Sequence, residues 1–236
     1  MLSSIDIDNG ITNNEFIPFF QGIYDCEEEK ISGYEALIRW KLGDKYLSPA
    51  FFIEQLESSG HLSTIVKIII SKINENIEKF KEDAWFSVNI TPNQIESDEL
   101  IHLLKELNFP LSGRLHFELT ERTPITNWEA AKRNMKFLND HGYYFKIDDF
   151  CCGYNSFLNL INLGLTHVKI DKKFIDTIDH NEESILFAIL SACQTAKLEV
   201  IAEGVESWEQ YIKLKELGVR FFQGYLFSKP HIAPQM

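Results

Sequence analysis

Most residues that could carry out chemistry in this chain are carboxylates at or near the ends of predicted strands. With one amide and one lysine, the set is Glu35, Asn89, Glu118, Asp148, Asp149, Lys169 and Glu203. Carboxylates gathered in one place repel each other, so a positive charge is expected among them. Such oxygen ligands suit Mg²⁺ or Mn²⁺, and an adjacent aspartate pair can bridge two ions, as in sites of in-line phosphoryl displacement. Taken singly each residue also suits an ordinary turn or strand end, but their number at strand ends favours a shared site.

Strand and helix patterns alternate along most of the chain and would bring these residues together. The segments Phe16 to Tyr24 and Ile31 to Arg39 can pair as an antiparallel hairpin, and eight strand candidates are present in all. This alternation is typical of a parallel α/β sheet. A doubly wound open sheet is the alternative, but the chain has no GxGxxG or GxxxxGK[ST] motif. We therefore predict a TIM-type (β/α)₈ barrel with an antiparallel opening strand, its functional groups at the C-terminal ends of the strands.

Charge and apolar patterning exclude several classes of protein. The 236 residues include 23 basic and 35 acidic side chains, for a formal net charge of −12. The chain therefore lacks the basic surface that nucleic-acid polymers and anionic membranes require, although bound cations could still attract a small anionic substrate. Its apolar runs are far shorter than the roughly 20 residues of a membrane span, and it has no apolar signal core. Four cysteines without CxxC spacing favour a reduced, cytoplasmic protein.

Seven segments of the chain resemble, in order, the motifs of the EAL domain family: GYEALIRW, SVNITPNQI, HFELTE, KIDDF, VKID, IAEGVE and QGYLFSKP. The resemblance extends from about Phe16 to Pro230. It assigns residues 1–15 to a polar N-terminal tail and residues 16–236 to a single barrel domain. Members of the family are barrel phosphodiesterases that use divalent cations to hydrolyse cyclic di-GMP to linear pGpG. The resemblance implies the same activity for this chain, with two Mg²⁺ or Mn²⁺ ions in each active site. It also implies that the chain can form a homodimer.

The resemblance also implies a role for each matched residue at the metal site. Glu35, Asn89, Glu118 and Asp148 would bind a first ion, and Asp148 and Asp149 would bind a second. Lys169 and Glu203 would position or deprotonate the attacking water, and Gln223 would form a hydrogen bond near it. From the residues alone, Lys169 is equally well explained as a charge partner of a nearby aspartate such as Asp149 or Asp171.

Four further residues receive supporting roles from the same resemblance. Arg39 would contact a substrate phosphate, for which a guanidinium group has the right geometry. Gln21 and Leu37 would contact the substrate, and Glu121 would hold the loop after Asp149 in place. A noncatalytic EAL module that binds cyclic di-GMP or a protein partner is the alternative function. It is disfavoured because the chain keeps every metal-ligand position that can be matched.

The chain departs from the family pattern at three places. In the loop that usually reads DDFGTGYSS, Cys151 and Cys152 replace a glycine and a threonine; they either fill space or form a redox-sensitive pair. In the opening strand, Gly22 replaces a common proline. The third departure is Lys146, which replaces a usually small residue and shares a strand face with Asp148. A lysine inside a barrel must be paired or neutral, so we predict an acidic partner for Lys146, or an ammonium group that reaches toward the mouth.

Overall fold

Eight strands close into a barrel, and a ninth extends it at one edge. The computed structural model describes residues 4–108, 110–120, 123–150, 163–180 and 184–233. The strands are β1 Phe16–Asp25, β2 Lys30–Leu42, β3 Lys45–Leu47, β4 Trp85–Ile90, β5 Leu115–Thr120, β6 Tyr144–Asp148, β7 His167–Ile170, β8 Glu199–Glu203 and β9 Phe221–Gln223. Their order is β1-β9-β8-β7-β6-β5-β4-β2-β3, and an additional pairing of β1 with β2 closes the ring. The predicted barrel is confirmed.

The opening hairpin gives the barrel one antiparallel strand. β1 is antiparallel to both of its neighbours in the ring, β2 and β9, whereas β2 and β4 to β9 pair in parallel. In the β1–β2 register, Gln21 faces Glu35 and Phe19 faces Leu37. Because β1 runs in the opposite direction, its first half lies at the end of the barrel where the parallel strands finish. We call this end the mouth.

Helices and short 3₁₀ turns connect the strands. The helices are Ser4–Thr12, Ile53–Ser58, Leu62–Glu75, Pro92–Glu96, Glu99–Glu106, Trp128–Asp140, Lys172–Ile175, Ser184–Thr195 and Trp208–Glu216, and the 3₁₀ turns are Pro49–Phe51, Ile77–Lys79 and Asp176–His180. In the helix Leu62–Glu75, the buried residues recur at helical spacing and form one apolar face: Ile65, Val66, Ile69, Ile70 and Ile73. Among the described residues, no helix is long and apolar enough to cross a membrane.

Local sequence signals start two of the helices directly after barrel strands. Thr91 and Gln94 form a capping box at the start of Pro92–Glu96, just after β4. Ser207 and Gln210 form another at the start of Trp208–Glu216, after β8. Each box satisfies backbone N–H groups that the first helical turn leaves without partners, so the chain turns sharply at the mouth.

The first residues form a helix where the sequence predicts a polar tail. Residues Ser4–Thr12 are helical, and Ile7 is fully buried in the core. Gly10 lies against the Trp40 ring so closely that a Cβ there would come within 2.9 Å of Trp40 Nε1. Glu15, just beyond the helix, accepts a hydrogen bond from Trp40 Nε1 at 2.9 Å. Ile7 and Gly10 therefore allow this helix to pack against the barrel, and the segment is part of the packed structure.

The C-terminal segment closes the barrel beside β1. β1 and β9 pair over three positions, Ile23–Asp25 with Phe221–Gln223. Nearer the mouth, the backbones of Phe20 and His231 exchange two hydrogen bonds, of 2.7 and 3.1 Å. The Gly22 N–H group donates to Ser228 Oγ at 3.0 Å. Residues 228–231 thus complete the ring where β9 has already ended.

Candidate active site

One buried lysine at the mouth of the barrel is surrounded by four carboxylates. Lys169 Nζ lies 3.1 Å from Glu35 Oε2, 2.7 Å from Glu118 Oε2 and 3.4 Å from Asp148 Oδ1, and it also contacts Glu203 Oε1. These groups come from β2, β5, β6, β7 and β8, so closure of the barrel assembles them. Asp171, a candidate partner of Lys169 in the sequence, instead accepts a hydrogen bond from the Lys173 N–H at the start of the next helix.

Glu35 accepts hydrogen bonds from three side chains. Asn89 Nδ2 donates to Oε1 at 2.8 Å, and Gln223 Nε2 and Lys169 Nζ donate to Oε2 at 2.6 and 3.1 Å. Gln223 Nε2 also lies 3.3 Å from Gln21 Oε1, and Gln21 Nε2 donates to the Ser228 carbonyl oxygen at 3.1 Å. A chain of amide contacts therefore connects the C-terminal segment to Glu35.

Burial acts to raise the pKa of the Glu35, Glu118 and Glu203 carboxyl groups, and Lys169 opposes this effect to a different extent at each one. Burial alone would raise the pKa of Glu35, but Lys169 and the hydrogen bonds from Gln223 and Asn89 lower it to about 2. Burial raises the pKa of Glu118 to about 7, because Lys169 offsets burial only in part. Burial also raises the pKa of Glu203 well above its ordinary value, against the opposing effect of Lys169.

Lys169 is held in its charged form by the same neighbours. Burial would lower its pKa, but Asp148, Glu118, Glu203 and Glu35 together raise the pKa well above its ordinary value. In this arrangement Lys169 is a charged hydrogen-bond donor. That favours the role of charge partner over the role of base, the two roles that the sequence leaves open.

The donor set fits divalent cations. Single carboxylate oxygens of Asp148, Asp149 and Glu203 lie within 4.8 Å of one another. The buried atoms Glu118 Oε1 and Asp148 Oδ1 have no hydrogen-bond partner among the described residues. Each lies near an ammonium group without a hydrogen bond, Asp148 Oδ1 at 3.4 Å from Lys169 Nζ and Glu118 Oε1 at 3.9 Å from Lys146 Nζ, and a bound cation would compensate their burial further. Asp149 has a positive φ of 54°, a conformation that is unfavourable for a residue with a side chain and that recurs at functional sites.

A second lysine lies one layer deeper, on the inner side of Glu118. Lys146 is fully buried, donates a hydrogen bond to Ser87 Oγ at 2.8 Å and lies 3.9 Å from Glu118 Oε1. Its ammonium group lies 3.4 Å from the centre of the Trp85 ring. Burial lowers the pKa of Lys146 to about 7, although Glu118 opposes this effect. The predicted acidic partner is therefore Glu118, and the ammonium group remains inside the barrel.

The mouth opens into a cavity of about 340 Å³. Of the residues with predicted roles, the cavity is lined by Gln21, Glu35, Leu37, Glu203 and Gln223. Arg39 is half-buried at the next inward-facing position of β2, where its Nη1 donates to the Ile38 carbonyl oxygen at 2.8 Å. Its guanidinium carbon lies 5.7 Å from the centre of the Phe19 ring.

Three residues singled out in the sequence lie outside the described part of the chain: Glu121, Cys151 and Cys152. The structure also adds residues that the sequence analysis leaves without a role. Tyr225 and Lys172 line the cavity, and Trp85 and Ser87 contact Lys146. Tyr225 lies within the family-like segment QGYLFSKP, so the sequence contains a signal that could have identified it as a residue of the site. Nothing in the strand pattern identifies Trp85 as a partner of Lys146.

Comparisons with known proteins agree with this architecture. The sequence profile of the EAL domain matches residues 5–230. The chain is 30% identical over 230 residues to the probable cyclic di-GMP phosphodiesterase PdeG of Escherichia coli strain K12, covering 93% of this chain and 45% of PdeG. It therefore spans less than half the length of that relative.

Two solved structures are similar over almost the whole chain. The PaMucR phosphodiesterase in complex with c-di-GMP superposes with a TM-score of 0.87 at 26% identity, covering 97% of both chains. An EAL domain protein from Listeria monocytogenes EGD-e superposes with a TM-score of 0.83 at 29% identity, covering 98% of this chain and 94% of that one. With the match of the family profile over residues 5–230, these similarities show that the chain belongs to the EAL domain family.

Proposed function

We propose that this chain hydrolyses one phosphodiester bond of cyclic di-GMP and releases linear pGpG, in a reaction that requires two Mg²⁺ or Mn²⁺ ions. The observation that carries the proposal is the group of carboxylates around Lys169, two of which hold buried oxygens without hydrogen-bond partners among the described residues. The named activity of PdeG and the c-di-GMP complex of PaMucR support the choice of substrate.

The metal ligands in this proposal are Glu35, Asn89, Glu118, Asp148 and Asp149. When bound, the ions supply Lewis acidity at the phosphate oxygens and lower the pKa of water. Four of these ligands lie on strands of the closed barrel, and Asp149 directly follows β6. Asn89 and Gln223 orient the Glu35 carboxylate through hydrogen bonds of 2.8 and 2.6 Å.

Glu203 takes up the proton of the attacking water, and Lys169 helps to position that water as a charged hydrogen-bond donor. Glu203 would accept that proton in its ionised form, which a cation bound beside it would favour. Lys169 contacts Glu203 directly and, as a charged donor, stabilises negative charge that develops beside it. Gln21 and Leu37 line the cavity and would contact the substrate, and Arg39 would bind a phosphate. The role of Glu121, which lies outside the described residues, is the one that the family resemblance implies.

Chromatography of cyclic di-GMP incubated with the protein tests the proposal. We expect pGpG to form with Mg²⁺ or Mn²⁺ and not with a chelator. Glu35→Gln keeps the shape of the side chain but removes its charge, and it is expected to slow hydrolysis by at least about a hundredfold, since even outer partners of metal ligands are worth 10- to 100-fold. Glu54→Gln, at an exposed helix position, is the matched control and should leave the rate unchanged.

Two outcomes would contradict the proposal. Equal turnover by the Glu35→Gln protein would remove Glu35 from the reaction, and turnover in the presence of chelator would remove the metal requirement. Tight binding of cyclic di-GMP without hydrolysis would favour the noncatalytic alternative. The homodimer that the family resemblance implies is tested on the same preparation by light scattering.

A further inference from the structure

Two aromatic side chains at the mouth have no role in the reaction as proposed so far. Phe19 belongs to β1 and Tyr46 to the short edge strand β3, and their ring centres lie 5.0 Å apart with the ring planes tilted by 60°. The Tyr46 side chain is exposed, at 39% of its full accessibility. A single exposed ring is common on protein surfaces, so its neighbours decide whether it has a function.

The strand register places both rings on the same face as Arg39. Phe19 lies opposite Leu37 in the β1–β2 pair. Tyr46 lies opposite Lys41 in the β2–β3 pair. Since side chains two positions apart on a strand share a face, Arg39 lies between these two positions on the same side of β2. Its guanidinium carbon lies 5.7 Å from the centre of the Phe19 ring. We call the surface formed by Phe19, Arg39 and Tyr46 the aromatic rim.

The aromatic rim is continuous with the cavity. Leu37 lines the cavity and is the cross-strand partner of Phe19. The cavity volume of about 340 Å³ is near the lower limit for sites that enclose a ligand, roughly 300–1,000 Å³. Cyclic di-GMP, with two guanine bases on a ring of two phosphates and two riboses, is large for such a cavity. We therefore expect one base to lie outside it.

We propose that Phe19 and Tyr46 bind one guanine base of cyclic di-GMP by stacking, beside the phosphate that Arg39 binds. This inference rests on the proposed function and identifies the binding surface for one part of that substrate. Every base has a flat π-face that stacks on an aromatic side chain, and a guanidinium group beside the rings adds to the attraction. Stacking also needs no charge on the protein, whereas the carboxylates of the mouth repel an anionic ligand until cations bind.

The position of the aromatic rim predicts which kinetic constant it controls. Neither ring is among the groups around Lys169, where the attacking water would be activated. A base held at the rim keeps the same contacts while the phosphodiester bond breaks, so it stabilises the bound substrate and the transition state equally. Loss of such a contact raises KM and leaves kcat unchanged.

Steady-state hydrolysis of cyclic di-GMP with Mn²⁺ tests the assignment. We expect Tyr46→Ala to raise KM by about 5- to 100-fold, the range for loss of one base–aromatic contact, without a change in kcat. Tyr46→Phe keeps the ring and should retain the KM of the unmodified protein. Tyr144→Ala is the matched control, because Tyr144 is 38% exposed at the start of β6, at the opposite end of the barrel from the mouth.

Two further measurements separate stacking from a structural role. Tyr46→Ala should leave the affinity for Mn²⁺ unchanged, and a weaker affinity would mean that the ring supports the metal site, which would overturn the assignment. Phe19→Leu keeps an apolar side chain beside Tyr46 but removes the ring, and it should also raise KM; it carries the test if Tyr46→Ala does not fold. An unchanged KM in the folded Tyr46→Ala protein, or an equal rise in Tyr46→Phe, would likewise overturn the stacking role.

Equilibrium dialysis of cyclic di-GMP in the presence of Ca²⁺ distinguishes failure of this inference from failure of the proposed function. Ca²⁺ takes oxygen ligands as Mg²⁺ does, and chromatography monitors whether the nucleotide stays intact. A protein that binds cyclic di-GMP without hydrolysing it would overturn the proposed reaction, while weaker binding by Tyr46→Ala would still support the aromatic rim. Equal dissociation constants for Tyr46→Ala and the unmodified protein would overturn the rim alone. An unmodified protein that neither binds nor hydrolyses cyclic di-GMP would overturn both.

Discussion

At the scale of single residues, the metal-free site depends on the charge of Lys169. It contacts Glu35, Glu118, Asp148 and Glu203 in a position where it is almost completely buried. Burial without such a partner is strongly unfavourable for a carboxylate. One ammonium group therefore offsets the desolvation penalty of carboxylates on four strands of the barrel. Replacing Lys169 should lower the stability of the protein as well as its proposed activity.

We expect Lys169→Met to lower the free energy of unfolding of the metal-free protein by about 3–5 kcal/mol near neutral pH, the usual effect of removing one partner from a buried ion pair. Urea unfolding in the presence of chelator measures the change, and the exposed Lys136→Met variant is the control. The deficit should shrink in mild acid, where the carboxyl groups become neutral. Equal stability of the two variants would contradict this account of the site.

At the scale of secondary-structure elements, the segment 228–231 is needed because β9 is too short to pair with all of β1. The segment exchanges two backbone hydrogen bonds with Phe20 and accepts a side-chain hydrogen bond from Gln21. Gln21 in turn contacts Gln223, which donates to Glu35. The closure of the ring and the orientation of Glu35 are thus connected through two amide side chains.

A chain truncated after Pro230 should lose both Phe20–His231 hydrogen bonds and be less stable by about 1–3 kcal/mol, the penalty for buried backbone groups left without partners. Hydrolysis of cyclic di-GMP should also slow, because Gln21 would lose part of its support. A chain truncated after Ala233 keeps these bonds and serves as the control. Identical unfolding curves for the two truncated chains would show that His231 does not stabilise the closure of the barrel beside β1.

At the scale of the whole molecule, the acidic interior makes the stability of the metal-free protein depend on pH. Burial raises the pKa of Glu118 from its ordinary value of 4.5 to about 7, so the folded state retains a proton that the unfolded state releases between these values. Glu203 shifts in the same direction. The contribution of Glu118 to stability is complete below pH 4.5 and is lost as the pH rises through about 7.

Burial lowers the pKa of His116 and His167, which opposes this effect below their ordinary value of 6.5. With chelator present, the melting temperature should therefore fall as the pH is raised from about 6.5 to about 7.5. The pKa of Glu35 is shifted in the opposite direction, to about 2. Its effect on stability is therefore confined to pH values below its ordinary pKa of 4.5. Mn²⁺ should reduce the decline, because an ion bound at the carboxylates favours their charged forms. A melting temperature that rises over this range in chelator would show that the buried carboxyl groups are ionised throughout.

The barrel and the location of its site could be predicted from the sequence, because strand alternation with a period of two fixes which side chains face inward. Glu118 and Lys146 were placed in the interior on that basis. The partners of Lys146 could not be predicted, since periodicity gives the depth of a side chain but not its direction. The packing of Ile7 and the pairing of Phe20 with His231 depend on contacts distant in sequence, which no local pattern indicates.

The reversed direction of β1 determines where the chain enters and leaves the barrel. Residues before Phe16 reach the barrel at the mouth, and His231 lies beside Phe20 on the same side. In a barrel whose strands are all parallel, the first strand instead begins at the opposite end, away from the functional loops. A protein module fused ahead of Ser4 or after Ala233 would therefore be attached near the mouth, beside the carboxylates around Lys169.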